Sequence, residues 1–313
     1  MRRPLLIIGL VIGGVALVLS GVLSMRALER RAASRVAIRG GEAGGLPLAS
    51  PHDEHMQPAL LEQLVRDPAA EGLEVLMVMR HGHVVFERFG HGYDAQSEID
   101  SGPFAEALVA LLAGVAAQHR ALPEPSSPSF DPEQLRAAIE NGTHQRYADY
   151  LGSQLWSRLN GAGAWIGLPQ PGAAVPVACC FHARALDWMR VAAVLLDEGR
   201  FEGSTIVPAA WVHRMRMPHG LRGVDGWGIE LAGAAHGRQP FVASDVFFLR
   251  GSGHWRLWLM PGYKLAVLFG AEAQAAPDAW DETRLPNLVI QAIDDAPTPQ
   301  NAASRLQQLV PGH

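Results

Sequence analysis

The chain has 313 residues, 48% hydrophobic, 18% charged and 7% aromatic, with a formal net charge of −5. These values exclude a disordered chain, a collagen-like repeat and a disulfide-stapled miniprotein, and leave ample length to bury one large core. The mild acidity argues against a nucleic-acid binder, which would carry a basic stripe.

Pro4 to Met25 is uncharged and rich in Leu, Ile, Val, Gly and Ala. That is long enough to span a bilayer as a helix. Arg2 and Arg3 precede it, and Arg26, Arg30, Arg31 and Arg35 follow. The apolar run exceeds that of a cleaved signal peptide, and Leu23-Ser24-Met25-Arg26 is a poor cleavage site, so residues 1–35 are expected to be an uncleaved signal anchor with its flanks. Arg2, Arg3 and the free amine favour a cytoplasmic N-terminus, whereas the arginines after the span pull the other way. The expectation is a membrane protein anchored through residues 4–25, its body on the periplasmic, extracytoplasmic side. Residues 36–55, punctuated by Gly40-Gly41, Gly44-Gly45, Pro47 and Pro51, read as a linker.

Pro58 to Arg66 has helical spacing. Leu73–Met79 and Val84–Phe89 are strands joined by the turn Arg80-His81-Gly82-His83, a β-hairpin. Phe104, Leu108, Leu111, Leu112 and Val115 repeat at helical spacing, which predicts a buried helix over 103–118 entered through Pro103. Pro123–Pro132 is a Pro/Ser-rich loop; Pro132–Glu140 and Arg146–Leu159 read as short helices. Residues 160–178 are coil with a short strand near Val175–Val177. The adjacent Cys179 and Cys180 are expected to be free, half-buried thiols, since neighbouring residues rarely close a disulfide. Ala183–Glu198 is an amphipathic helix closed by Gly199, and Pro208–Met215 another helix. Strands follow at Gly226–Leu231, Ser244–Leu249, Trp255–Met260 and Lys264–Phe269, the last two flanking the turn Pro261-Gly262; Leu285–Asp294 is a terminal helix. Residues 56–296 thus read as one α+β domain, an antiparallel sheet with the two ends of the chain packed on one face, followed by a 297–313 tail.

Four stretches in this order carry a resemblance: LEVLMVMRHGHVVFERFGHGYDAQSEIDS, YADYLGSQLWSRLNGAGAWI, HARALDWMRVAAVLLDEGRFEGSTIVPAAWVHRM and FFLRGSGHWRLWLMPGYKLAVLFG. From about 58 to 294 the chain resembles the serine β-lactamase and penicillin-binding-protein-like hydrolases, especially the branch with esterases and aminohexanoate-oligomer hydrolases. The resemblance implies a β-lactamase/transpeptidase-like sheet flanked by helices, and an acyl-enzyme mechanism.

That mechanism needs three elements. The first is Ser-x-x-Lys at the head of the buried helix, one turn bringing the amine under the hydroxyl. The resemblance places these positions at Pro103 and Glu106. Proline has no nucleophilic atom. The chain's only lysine is Lys264, and Pro261 stands three residues before it, so Ser-x-x-Lys occurs nowhere in the chain. The second element, Tyr-x-Asn or Ser-x-Asn on the helical lobe, is absent from the short interval before YADYL. This implies a reduced helical lobe; Tyr147 and Tyr150 follow the missing stretch and read as packing residues. The third, Lys-Thr-Gly or a His-x-Gly-like substitute, is replaced by Arg250-Gly251-Ser252-Gly253. Arg250, Gly251 and Ser252 are the cleft and ligand-binding candidates, Arg250 either binding a substrate carboxylate or simply ending a strand.

Ser101 is a weak nucleophile candidate, read first as a helix cap. His81, His83 and His91 cluster around the hairpin, and a zinc site would need a third ligand, Glu87 or Asp94; exposed turn histidines are the simpler reading. Trp255 and Trp258, three apart in a strand, should face opposite sides of the sheet. No His-Glu-x-x-His, phosphate-binding glycine loop or Gly-x-Ser-x-Gly elbow occurs, so no metal or cofactor is expected. The expected function is that of a membrane-tethered, degenerate relative that has lost acyl-enzyme chemistry and binds a cell-envelope peptide, glycan or protein partner in its cleft. The alternative is an active ester or amide hydrolase with an unconventional nucleophile.

Overall fold

A computed structural model describes residues 34–123, 130–220, 222–271 and 280–294. The expected membrane span, at 4–25, and the 297–313 tail lie outside them. Among the described residues no helix is long and apolar enough to cross a membrane.

The strands, in chain order, are β1 (Arg35–Ile38), β2 (Leu73–Arg80), β3 (His83–Phe89), β4 (Glu98–Asp100), β5 (Ala164–Gly167), β6 (Phe181–Arg184), β7 (Arg200–Phe201), β8 (Ser204–Thr205), β9 (Glu230–Leu231), β10 (Phe247–Arg250), β11 (Arg256–Met260) and β12 (Leu265–Ala271). The α-helices are α1 (Pro58–Leu64), α2 (Ala105–Gln118), α3 (Pro132–Thr143), α4 (Tyr147–Leu151), α5 (Ala185–Leu196), α6 (Ala209–Met215) and α7 (Arg284–Gln291). The main sheet is antiparallel, in the order β3-β2-β12-β11-β10-β9. A smaller sheet, β1-β5-β6-β4, is also antiparallel.

Strand alternation divides the interior into two cores. Val75, Met77 and Met79 face one side with Leu257 and Leu259, against the buried α2 and α5. Leu76 and Val78 face the other with Trp258 and Val267, against residues of α1 and α7. The ends of the domain therefore share a face of the sheet, and Trp255 and Trp258 fall into different cores as their spacing predicts. The helix α2 is buried from Ala107 to Ala116. Its centre packs tightly: a Cβ on Gly114 would lie 2.5 Å from the Trp211 indole.

Three expectations need correction. Residues 36–55 are not a free linker. Val36 and Ile38 pair with Ile166 and Ala164, Leu46 is buried, and the Pro47 carbonyl accepts from the Val84 N–H at 2.8 Å. Two of the four glycines that suggested flexibility are close-approach residues: a Cβ on Gly40 would lie 2.6 Å from the Ala162 carbonyl carbon, and one on Gly41 2.4 Å from the Ser157 oxygen, whereas Gly44 and Gly45 face open space. Second, Cys179 and Cys180 are joined in a disulfide, with Cys180 in the left-handed region at φ 67°. Third, Val175–Val177 forms no strand: no neighbouring strand pairs with it, and the Val177 N–H donates to Glu133 Oε1 at 3.3 Å instead. Strand β5 lies in the stretch read as coil, and β4, β6 and the β7–β8 pair fall outside the expected strands; the elements that are expected differ at their ends, and of Gly226–Leu231 only Glu230 and Leu231 enter the sheet.

Candidate ligand-binding cleft

A cavity of about 320 Å³ opens beside the β9–β10 edge of the main sheet, and Pro103, Glu106 and Arg250 all line it. Pro103 belongs to a single 3-10 turn, Gly102–Phe104, that leads directly into α2. Glu106 follows in the first turn of the helix. Phe130, His219, Asp225, Ile229 and Glu230 also line it. Gly228, at φ 66°, lets its loop lie on that helical turn, where a Cβ would come within 2.5 Å of the Glu106 carbonyl oxygen.

Ser101 is placed differently from expectation. Its side chain makes no cap to the following turn; it is buried, and its hydroxyl donates to the Phe181 carbonyl at 2.7 Å. The same carbonyl accepts from the Ser101 N–H at 3.0 Å. The serine is thus a clamp between the helix head and β6, and it does not line the cavity. Gly251 is buried in the turn after β10, and Ser252 is exposed beside it. A Cβ on Gly251 would lie 2.7 Å from the Trp255 Cβ, and Ser252 sits against Gly102, whose added Cβ would meet Ser252 Oγ at 2.4 Å. Ser252 faces a second recess with Glu74, Tyr93, Asp100 and Trp255.

Arg250 reaches the cleft but is already neutralised. Its Nε and Nη2 donate to the two Glu230 oxygens at 2.7 and 2.8 Å, and Nη1 pairs with Glu282. Glu282 also receives Arg256 Nε at 2.7 Å and the His236 N–H at 2.8 Å. Burial works against ionisation of Glu282, but Arg256, the His236 N–H and Arg250 together hold its carboxyl below the ordinary range. An arginine so engaged has no fork left for a substrate carboxylate. Its partners lie 20 and 32 residues away in sequence, beyond the reach of any local pattern.

The charge that is not balanced is negative. Among the described residues, no cation lies within ion-pair distance of Glu106 or Asp225. Burial first, and the charge of Glu230 second, raise the Glu106 carboxyl above its usual range. Tyr147 and Tyr150 offer no base: both are buried, burial drives both phenols upward, and the Tyr150 hydroxyl is hydrogen-bonded to His119 Nδ1 at 3.0 Å. Lys264 stands at the opposite end of the sheet. It precedes β12, whose Phe269 opposes Arg256, itself opposite Arg250; five residues at strand rise separate the two ends by about 17 Å.

His81 and His83 meet neither Glu87 nor Asp94. Their Nδ1 atoms lie 2.6 and 2.9 Å from the two oxygens of Glu54, in the stretch read as linker, and His91 is exposed on a turn. Among the described residues no group of His, Cys, Asp and Glu is arranged to hold a metal ion.

No family model matches the chain, and no curated protein matches it. Solved structures do. A Bacillus anthracis protein named as a 6-aminohexanoate-dimer hydrolase superposes with a TM-score of 0.59 at 13% identity, over 89% of this chain and 92% of the other. A penicillin-binding protein homologue from Caulobacter crescentus gives 0.57 at 14% identity, over 80% and 99%. The fold is that of the serine β-lactamases and penicillin-binding-protein-like hydrolases. A family VIII carboxylesterase matches equally, at 0.57 and 12% identity over 79% of this chain and 98% of its own. Identities this low carry the β-lactamase-like fold and no chemistry.

Proposed function

We propose that this is a β-lactamase-fold protein that has lost acyl-enzyme chemistry, has a reduced helical lobe, and works by binding a ligand in its cleft. It is tethered to the membrane through residues 4–25, with its body on the extracytoplasmic side. The observation that carries the reading is Pro103 at the head of the buried helix, facing the cleft with Glu106 beside it, while the only lysine is across the sheet. Without a hydroxyl at Pro103 and an amine one turn along, the Ser-x-x-Lys nucleophile has no counterpart at the helix head. The neutralised Arg250 and the unbalanced Glu106 and Asp225 favour a ligand that presents a cationic group, such as a basic side chain of a peptide or protein or an amino sugar of a glycan.

The test is incubation of the full-length protein with a fluorophosphonate and a penicillin probe, followed by intact-mass analysis. No adduct is expected. An adduct on Ser101 that disappears in Ser101→Ala would instead establish the unconventional hydrolase.

A further inference from the structure

We propose that Cys179–Cys180 is a thiol–disulfide redox site, taking a dithiol as its reactant, whose state is transmitted to the head of α2 and so to the cleft. The two cysteines are half-exposed at the end of the loop that leads into β6, so a small thiol can reach them. The next residue after the pair is Phe181, the first of β6, and its carbonyl is the one that holds Ser101 by both N–H and hydroxyl. Two residues beyond Ser101 is Pro103, the wall of the cleft. The path from sulfur to cavity thus runs through one strand residue and two hydrogen bonds.

The conformational lever is Cys180. Its φ of 67° is disfavoured for a residue with a Cβ, and the ring closed through the sulfurs retains it there. In that conformation its carbonyl accepts from the Gly167 N–H at 2.8 Å, which starts the β5–β6 pairing at Ile166 and Phe181. With the ring open, Cys180 relaxes toward negative φ, the carbonyl turns away from Gly167, and Phe181 loses its fixed entry. Phe181 also packs edge-on against Trp156 and Trp188, with ring centroids 4.9 and 5.8 Å apart, and Trp188 packs against Phe104 at the helix head.

The chemistry balances without any group beyond the dithiol. A reagent thiolate attacks one Sγ, the S–S bond breaks, and the departing cysteine thiolate takes a proton. The second reagent thiol then attacks the mixed disulfide, releasing the other cysteine as its thiol. Two electrons and two protons pass to the protein, and the reagent leaves as a cyclic disulfide.

The experiment uses the full-length protein purified in air and treated with dithiothreitol, reduction being verified by intact mass. Hydrogen exchange is followed at the Ser101–Glu106 amides, together with tryptophan emission. Reduction is expected to speed exchange at the Ser101 amide roughly tenfold, the scale of one weakened hydrogen bond. It should also shift the emission of the Trp156–Trp188 cluster, and reoxidation should reverse both. Cys179→Ser/Cys180→Ser should behave as the reduced protein and ignore dithiothreitol. If that variant does not fold, the reversible wild-type cycle reads the same quantity. The proposal falls if the air-purified protein carries two free thiols, or if reduction changes exchange only at 178–181 and leaves Ser101 as it was. Neither result bears on the missing nucleophile, so this test and the probe-labelling test fail separately.

Discussion

Replacing Glu282 by Gln tests whether Arg250 is unavailable to ligand because of its partners. Glu282 is 2% exposed and Arg256 5%, so the pair is out of water. The substitution removes the charge while keeping the shape. Arg250 retains both oxygens of Glu230. Arg256 loses the one acidic side chain it pairs with among the described residues and keeps the carbonyls of Gly253 and Trp255, at 3.0 and 2.7 Å, and the face of the Trp280 ring. Orphaning one member of a buried ion pair costs about 3–5 kcal/mol, and the remaining carbonyl contacts put the loss near the lower end, about 3 kcal/mol. For a domain of this size that corresponds to a fall in Tm of roughly 6–12 °C. The pH profile should change as well. Because the folded Glu282 carboxyl is held low, its stabilisation is present above the ordinary glutamate value and is lost as pH falls through the lowered one, so the variant should lack that part of the acid limb. Thermal unfolding by circular dichroism across pH, with benzoate binding by calorimetry, reads all of this. A loss below about 1 kcal/mol would mean that the network is no more than a surface pair. Benzoate should still bind poorly, since Glu230 keeps the Arg250 Nε and Nη2 fork; tight binding in the variant would mean that Glu282 alone had quenched Arg250.

The cleft should bind benzylammonium in preference to benzoate, and Glu106→Gln should abolish that preference in a side-by-side titration; equal affinities in the wild type would refute the charge argument. Because Glu106 is raised in the folded state, benzylammonium affinity should climb as pH rises through that raised value, while protein stability falls over the same window and Glu106→Gln removes both trends. Gly102→Ala should lower stability by about 1–3 kcal/mol in urea unfolding, since it forces a side chain into φ 51° and against Ser252 Oγ; a neutral result would show that this turn yields freely. Gly114→Ala, crowding Trp211 and Val207, should cost about 1–3 kcal/mol by the same assay, with no effect on benzylammonium affinity.

The hairpin, the buried helix and the final strand pair were legible because each shows its period over a long stretch: LEVLMVM and VVFERF for β2 and β3, and five apolar residues at helical spacing for α2. That Pro103 stands at the head of this helix was readable from the sequence, whereas the groove beside it is seen only in the fold. What stayed hidden depends on contacts between distant segments. A four-residue strand such as β1, followed by glycines, cannot be told from a tether until Ala162 and Ser157 are seen against those glycines. The partners of Arg250, His81, His83 and Ser101 lie 20 to 80 residues away. Adjacent cysteines gave no local cue that a turned backbone at Cys180 would let them join.

Lys264 gives the molecule a practical property. With one side-chain amine in the whole sequence, exposed on the turn before β12, amine-directed coupling above neutral pH has only that site and the N-terminus to choose between. A dye, a spin label or a surface linker attached there would stand at the far end of the sheet from the groove, reporting on or immobilising the protein without covering the place where ligand is expected to sit.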